Sequence, residues 1–158
     1  KKNIHFNLII AGAGEDPSLL YFASKNNCIV INRFLTDDEM MYLNEISDVV
    51  LLPYKTASQS GIIPTSFMFG NPIIATKVGA LTESIKDGEN GILVKPDDAV
   101  AFANAMQSLI NNKSLMSTLK RGAEMYGNGD EYDWHTIAKQ TLLVLLGSNN
   151  EMNSSIVL

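Results

Sequence analysis

Cysteine is nearly absent: the 158 residues hold one, Cys28. No internal disulfide can form, and the apolar stretch Cys28-Ile29-Val30-Ile31 makes it a buried thiol of a reducing compartment. Histidine is as scarce. His5 and His135 stand apart, with no His, Cys or carboxylate cluster at metal spacing, so no metal and no other cofactor is assigned. Positive charge does not accumulate either, since 12 Lys and Arg face 17 Asp and Glu and no basic block follows Lys1-Lys2. That argues against a nucleic-acid partner, although backbone amides can hold a small phosphate whatever the net charge. No apolar run approaches the ~20 residues of a membrane helix, which argues against direct insertion of this segment. A signal peptide, a GxSxG elbow, internal repeats and low-complexity linkers are also missing from the 158 residues.

What is present suits one domain: 46 % of the residues are hydrophobic, ample for a core at this length. The stretch from Asp48 to Thr76 organises the chain. Val49-Val50-Leu51-Leu52 stops at Pro53, a Ser/Thr/Gln loop follows, and the segment Gly61 to Phe69 leads into Ile73-Ile74-Ala75. Two runs apolar on both faces, joined by a helix-length crossover, predict a parallel sheet covered on both sides. Ligands of such sheets bind beyond the strand carboxyl ends, here the loop Pro53 to Ser60.

Around this centre the chain alternates. Phe6 to Ile10 predicts a strand ending in the turn Ala11-Gly12-Ala13-Gly14, and Asp16-Pro17-Ser18 opens a short helix. Cys28 to Phe34 predicts another strand. Thr36-Asp37-Asp38-Glu39 is a capping box, ahead of a helix whose buried stripe is Met40, Leu43 and Ile46. After the centre come a helix from Leu81 to Lys86, the strand Ile92-Leu93-Val94, and three helices read from apolar residues at spacings of three and four. The third contains Trp134, Ile137 and Leu145. The fold class is therefore α/β, a doubly wound, Rossmann-like parallel sheet of about five strands with helices on both faces and a helical C-terminal end. The abrupt start, with a strand almost at once after Lys1-Lys2-Asn3, predicts a fragment of a longer protein.

Two places invite chemistry. Gly12-x-Gly14 after a strand suggests a dinucleotide site, but Pro17 stands where GxGxxG has its third glycine and Asn32-Arg33 where an acid belongs. A tight turn explains Gly14 equally well. The loop Tyr54 to Gly61 is richer, with four hydroxyl side chains, one amide and one cation before a glycine at a helix start. Unpaired amides there make an anion site such as a diphosphate prefers.

Leu8-Ile9-Ile10-Ala11-Gly12-Ala13-Gly14, Ser47 to Tyr54, Gln59-Ser60-Gly61, Phe69 to Thr76, Val78 to Glu83, Asp87 to Val94 and the late Trp134 occur in an order and spacing covering nearly the whole chain. In these the chain resembles the C-terminal, nucleotide-sugar-binding half of GT-B glycosyltransferases of the large retaining family four (glycosyl transferases group one). The resemblance implies a donor-binding domain over 1–146 with a tail over 147–158, a first strand and an N-terminal domain lying upstream, and transfer from a UDP- or GDP-sugar to a glycan or lipid-linked acceptor held by that N-terminal domain. It implies a cytoplasmic protein, peripheral to the membrane at most. By position it places Arg33 near the base, gives the diphosphate or sugar the amides of Ser60, Gly61 and Ile62, and sets Glu83 at the border. Gly12, Gly14, Ser58, Gln59 and Thr65 complete the expected substrate-binding set, and no catalytic base is assigned. Where the family often carries two glutamates eight positions apart, this chain has Ala57 and Thr65. Alternatives are a catalytically degenerate scaffold subunit that only binds and, at Gly12-x-Gly14, an NAD-dependent oxidoreductase.

Overall fold

The apolar runs become strands and the segments of helical period become helices. The computed structural model describes residues 6–129 and 134–145. Among them the strands are β1 (Leu8–Ala11), β2 (Cys28–Ile31), β3 (Val50–Leu52), β4 (Ile73–Thr76) and β5 (Gly91–Val94). The helices are α1 (Ser18–Ala23), α2 (Asp37–Glu45), α3 (Ile62–Met68), α4 (Leu81–Ser84), α5 (Ala99–Asn111), α6 (Lys113–Gly127) and α7 (Trp134–Leu145). His5 and the tail 147–158 lie outside the described residues, as do the side chains of Trp134 and His135.

Every strand pair is parallel, as runs apolar on both faces require. The expected single sheet is, however, two: β1 pairs with β2, and β3, β4 and β5 form a separate three-stranded sheet in that order. β1 and β3 do not pair.

The core sits around β4, which is buried along its whole length. Its alternate side chains serve two apolar clusters. Ile73 and Ala75 join Leu52, Ile63, Phe67, Leu81, Ile85 and Ala123 on one side, while Ile74 joins Val94, Ala105, Leu109 and Leu119 on the other. Helices α3 and α4 thus close one face and α5 the other, while α6 serves both through Ala123 and Leu119.

The capping box forms as expected: the Thr36 side chain accepts from the Glu39 amide and the Glu39 carboxylate accepts from the Thr36 amide. The stripe behind it differs. Met40 and Leu43 are half-buried and Ile46 is exposed, and the buried residue of α2 is Asn44. It forms a polar knot: its side chain donates to the Met40 carbonyl and accepts from Ser66 Oγ, and its own carbonyl accepts from Asn71 Nδ2. A buried amide is tolerated because each of its groups is paired. The helix expected to reach Lys86 stops at Ser84, because Ile85 turns extended into the core and Asn90 takes over the Lys86 amide and the Ser84 carbonyl. Cys28 is half-buried rather than enclosed, since β2 has a neighbour on one side alone.

Candidate functional site

The loops leaving β3 and β4 build the crevice. Beyond Leu52 the chain runs through Tyr54 to Gly61 before α3 begins, and Tyr54 with the run Thr56 to Ile62 walls an open hollow of about 740 Å³. It lies where the carboxyl ends of parallel strands release their loops, the usual position for ligands in such sheets.

The β4 loop holds this wall in place. Thr76 Oγ1 donates to the Tyr54 carbonyl at 2.5 Å, and the Ala80 amide donates to the Ser58 carbonyl at 3.3 Å. Gly79 makes the approach possible. At φ +50° it is left-handed, and a Cβ there would overlap the Ala57 carbonyl oxygen. Across the hollow the Tyr54 hydroxyl reaches Ser60 Oγ at 3.5 Å.

The helix tip itself is open. No side chain caps α3, whose N-cap is Gly61, and the first-turn bond is Ile63 amide to Ser60 carbonyl. The wall therefore offers free amides, the hydroxyls of Thr56, Ser58 and Ser60 and the Gln59 amide group, with no carboxylate among the lining residues. Such a surface can solvate an anion by hydrogen bonds and repels none by charge.

Of the residues expected at the site, Ser58, Gln59, Ser60, Gly61 and Ile62 line the hollow together. Thr65 sits one turn further into α3, its hydroxyl 3.4 Å from the Gly61 carbonyl. Glu83 is exposed in the first turn of α4, the helix that follows the clamp at Gly79 and Ala80. Gly12 and Gly14 lie at the end of β1 in the other sheet. Gly12 needs its freedom, at φ +134°, whereas the Gly14 amide is taken by Asn32 Oδ1 at 3.0 Å.

Arg33 follows β2 and is engaged nearby: its guanidinium grips both oxygens of Glu39, at 2.7 and 2.5 Å, and donates to the Phe34 carbonyl. The two N–H donors from Arg33, with the Thr36 amide, hold the Glu39 carboxyl down at about 2. Arg33 is 56 % exposed, so the pair leaves one side of the guanidinium facing water.

Sequence reasoning passed over Thr76 and the clamping role of Gly79. The glycine after a strand was visible as a turn, but nothing in the residue order announces whose backbone it meets. Tyr54 and Thr56 were legible as loop residues without a role. Among the described residues no group of three or more His, Cys, Asp or Glu could hold a metal, and no helix is long and apolar enough to cross a membrane.

The family model described as glycosyl transferases group 1 matches residues 1–112. The glycogen synthase of Mycobacterium tuberculosis is 26 % identical over 145 residues, covering 89 % of this chain but 35 % of that protein, so the chain spans about a third of this relative. Among solved structures, Anabaena Alr3699/HepE in complex with UDP-glucose superposes with a TM-score of 0.72 at 20 % identity, over 89 % of this chain and 40 % of that one. The C-terminal domain of a glycosyl transferase group 1 family protein (LpcC) from Francisella tularensis gives 0.61 at 17 % identity, over 77 % of this chain and 83 % of that one.

Proposed function

The chain belongs to the glycosyl transferases group 1 family, as the C-terminal domain of a GT-B glycosyltransferase, and from this premise we propose that it binds the nucleotide-sugar donor of a retaining enzyme. The donor is a UDP- or GDP-sugar and the acceptor a glycan or lipid-linked sugar held by an N-terminal domain. The observation that carries the reading is the hollow at the carboxyl end of β3, whose lining, Tyr54 and Thr56 to Ile62, is polar and carboxylate-free. The solved HepE complex with UDP-glucose lends support, because its ligand is of the class proposed here.

In this reading the amides of Ser60, Gly61 and Ile62 and the hydroxyls of Ser58 and Ser60 hold the diphosphate. Their work is electrostatic. Negative charge grows on the leaving diphosphate as the sugar departs, and donors already fixed by the fold stabilise it without reorganising. Thr76 and Gly79 fix them by clamping the loop from behind. Arg33 borders the base and Glu83 the sugar, while Gly12 and Gly14 keep the β1 turn clear of the donor. The whole protein acts in the cytoplasm, at most peripheral to the membrane.

Titration with UDP, GDP and ADP tests the site. Amide signals of Ser60 and Gly61 are expected to shift at millimolar ligand, with UDP or GDP ahead of ADP; unmoved signals overturn the assignment. A second reading rests on Ala57 and Thr65, which stand where the resemblance expects carboxylates. They favour a scaffold subunit that binds donor without transferring it, and donor-sugar hydrolysis by the full-length protein separates the two.

A further inference from the structure

Beside the hollow, and outside its lining, the carboxyl edge of the three-stranded sheet carries a row of cations. Lys77 and Lys95 directly follow β4 and β5, and Lys55 stands in the loop just beyond β3. Two hydrogen bonds draw the three together. The Lys77 amide donates to the Val94 carbonyl at 2.8 Å, and Thr76 Oγ1 donates to the Tyr54 carbonyl at 2.5 Å, so each accepting carbonyl belongs to the residue before a lysine. Lys77 and Lys95 continue the register that pairs Thr76 with Val94, on strands about 4.8 Å apart.

The row has no counter-charge. All three lysines are exposed, and among the described residues none of their side chains has an ion-pair or hydrogen-bond partner. The nearby acids do not quench them: Asp98 accepts from the Ala101 amide as the cap of α5, and neither Glu83 nor Asp97 forms an ion pair. Like charges at opposed positions of neighbouring strands repel. In a chain whose 12 Lys and Arg are outnumbered by 17 Asp and Glu, such a gathering is relieved by an anion seated between the ammonium groups.

Position along the edge selects that anion. In the proposed function the diphosphate rests on the amides of Ser60, Gly61 and Ile62, and the base lies near Arg33, after β2. Base and sugar leave a diphosphate from opposite ends, so the sugar runs the other way, along the β4 loop that Gly79 and Ala80 press onto Ala57 and Ser58. Lys77 opens that loop. Resting on this reading of the site, we infer that the transferred sugar is acidic, a pyranose bearing a carboxylate as in the hexuronates, and that the ammonium groups of Lys77 and Lys95 receive the carboxylate. Lys55 adds positive potential between it and the diphosphate. Lysine suits the task, since a compact charge on a flexible stem follows a carboxylate without a fixed fork. The two residues determine specificity and take no part in bond making or breaking.

Calorimetric titration of the full-length protein tests this with matched donors, UDP-glucuronate against UDP-glucose and GDP-mannuronate against GDP-mannose. The acidic member of the pair with the accepted base is expected to bind about fivefold tighter, with a preference that shrinks as salt rises. Lys77→Gln with Lys95→Gln should bring the ratio to about one, Lys77→Arg should keep it above one, and Lys77→Glu should reverse it. Equal affinities in the parent overturn the inference, as does a preference that survives the double substitution. Binding of UDP or GDP without a preference for the acidic sugar defeats this inference alone, whereas failure of both nucleotides to bind removes the proposed function and this inference with it.

Discussion

Strands β1 and β4 read almost alike, Leu-Ile-Ile-Ala and Ile-Ile-Ala-Thr, and live in opposite surroundings. β4 has a hydrogen-bonded neighbour on each side and helices over both faces, and Ile73, Ile74 and Ala75 are each 0 % exposed. β1 has one neighbour, and none of its four residues is fully buried. The contrast extends to the regions around them. Among the described residues every buried hydrophobic lies between Leu52 and Ala123, while Ile29 in β2 and Phe34 after it are 58 % and 87 % exposed. A two-sided apolar run specifies a strand that wants to be central; whether it is central depends on how many strands flank it.

Replacing equivalent residues gives the largest expected separation between the regions. Ile74→Ala should cost about 3–5 kcal/mol in urea unfolding, because it empties a closed site, whereas Ile10→Ala in half-open β1 should cost no more than about half of that. Equal losses would erase the distinction. The next effect belongs to the crevice. Gly79→Ala forces a side chain into a left-handed residue pressed on Ala57, for an expected loss of about 1–3 kcal/mol and at least tenfold weaker nucleotide binding by titration. Gly14→Ala, with open space around it and no positive φ, should leave stability unchanged.

Ser66→Ala probes the knot on the buried side. It strands the side-chain oxygen of Asn44 without a donor, for about 1–3 kcal/mol by thermal or chemical unfolding. Smallest is the exposed Arg33–Glu39 pair. The Glu39 carboxyl is depressed to about 2 in the fold, against about 4.5 when free. Its contribution is therefore complete above pH about 4.5 and disappears as pH falls toward 2. The stability difference between the parent and Glu39→Gln should shrink over that interval, and the Glu39 side-chain carbon should titrate near 2 by NMR.

Much of the fold was legible because its periods are clean. Val49 to Leu52 and Ile73 to Ala75 could be strands of no other kind than parallel, and Thr36 with Glu39 marked the start of α2 to the residue. The crevice wall Ser58 to Ile62 was legible too, since hydroxyls and a glycine between a strand and a helix have few structural uses. What stayed hidden were pairings remote in sequence. Asn44 at the buried face of α2 contradicts its local pattern, and only Ser66 and Asn71, 22 and 27 positions on, account for it. The pairing of Arg33 with Glu39 could not be read from residue order, because Glu39 was already explained as a cap. Thr76 and Gly79 gave no sign that they clamp the wall, for backbone-to-backbone proximity leaves no trace in residue type. The break between β1 and β3 could not be read from their own residues, since each carries the pattern of a fully flanked strand.

The knot of Asn44, Ser66 and Asn71 has a consequence for the mouth of the crevice. Oil-like contacts let a helix slide or roll by small steps, whereas a donor and an acceptor buried at fixed angles admit a single setting. Helix α3 is thereby keyed at its rear, through Ser66, while its front end meets the solvent at Ser60 and Gly61. Ile63, enclosed between the key and the opening, thus packs behind a mouth whose orientation is set from the rear.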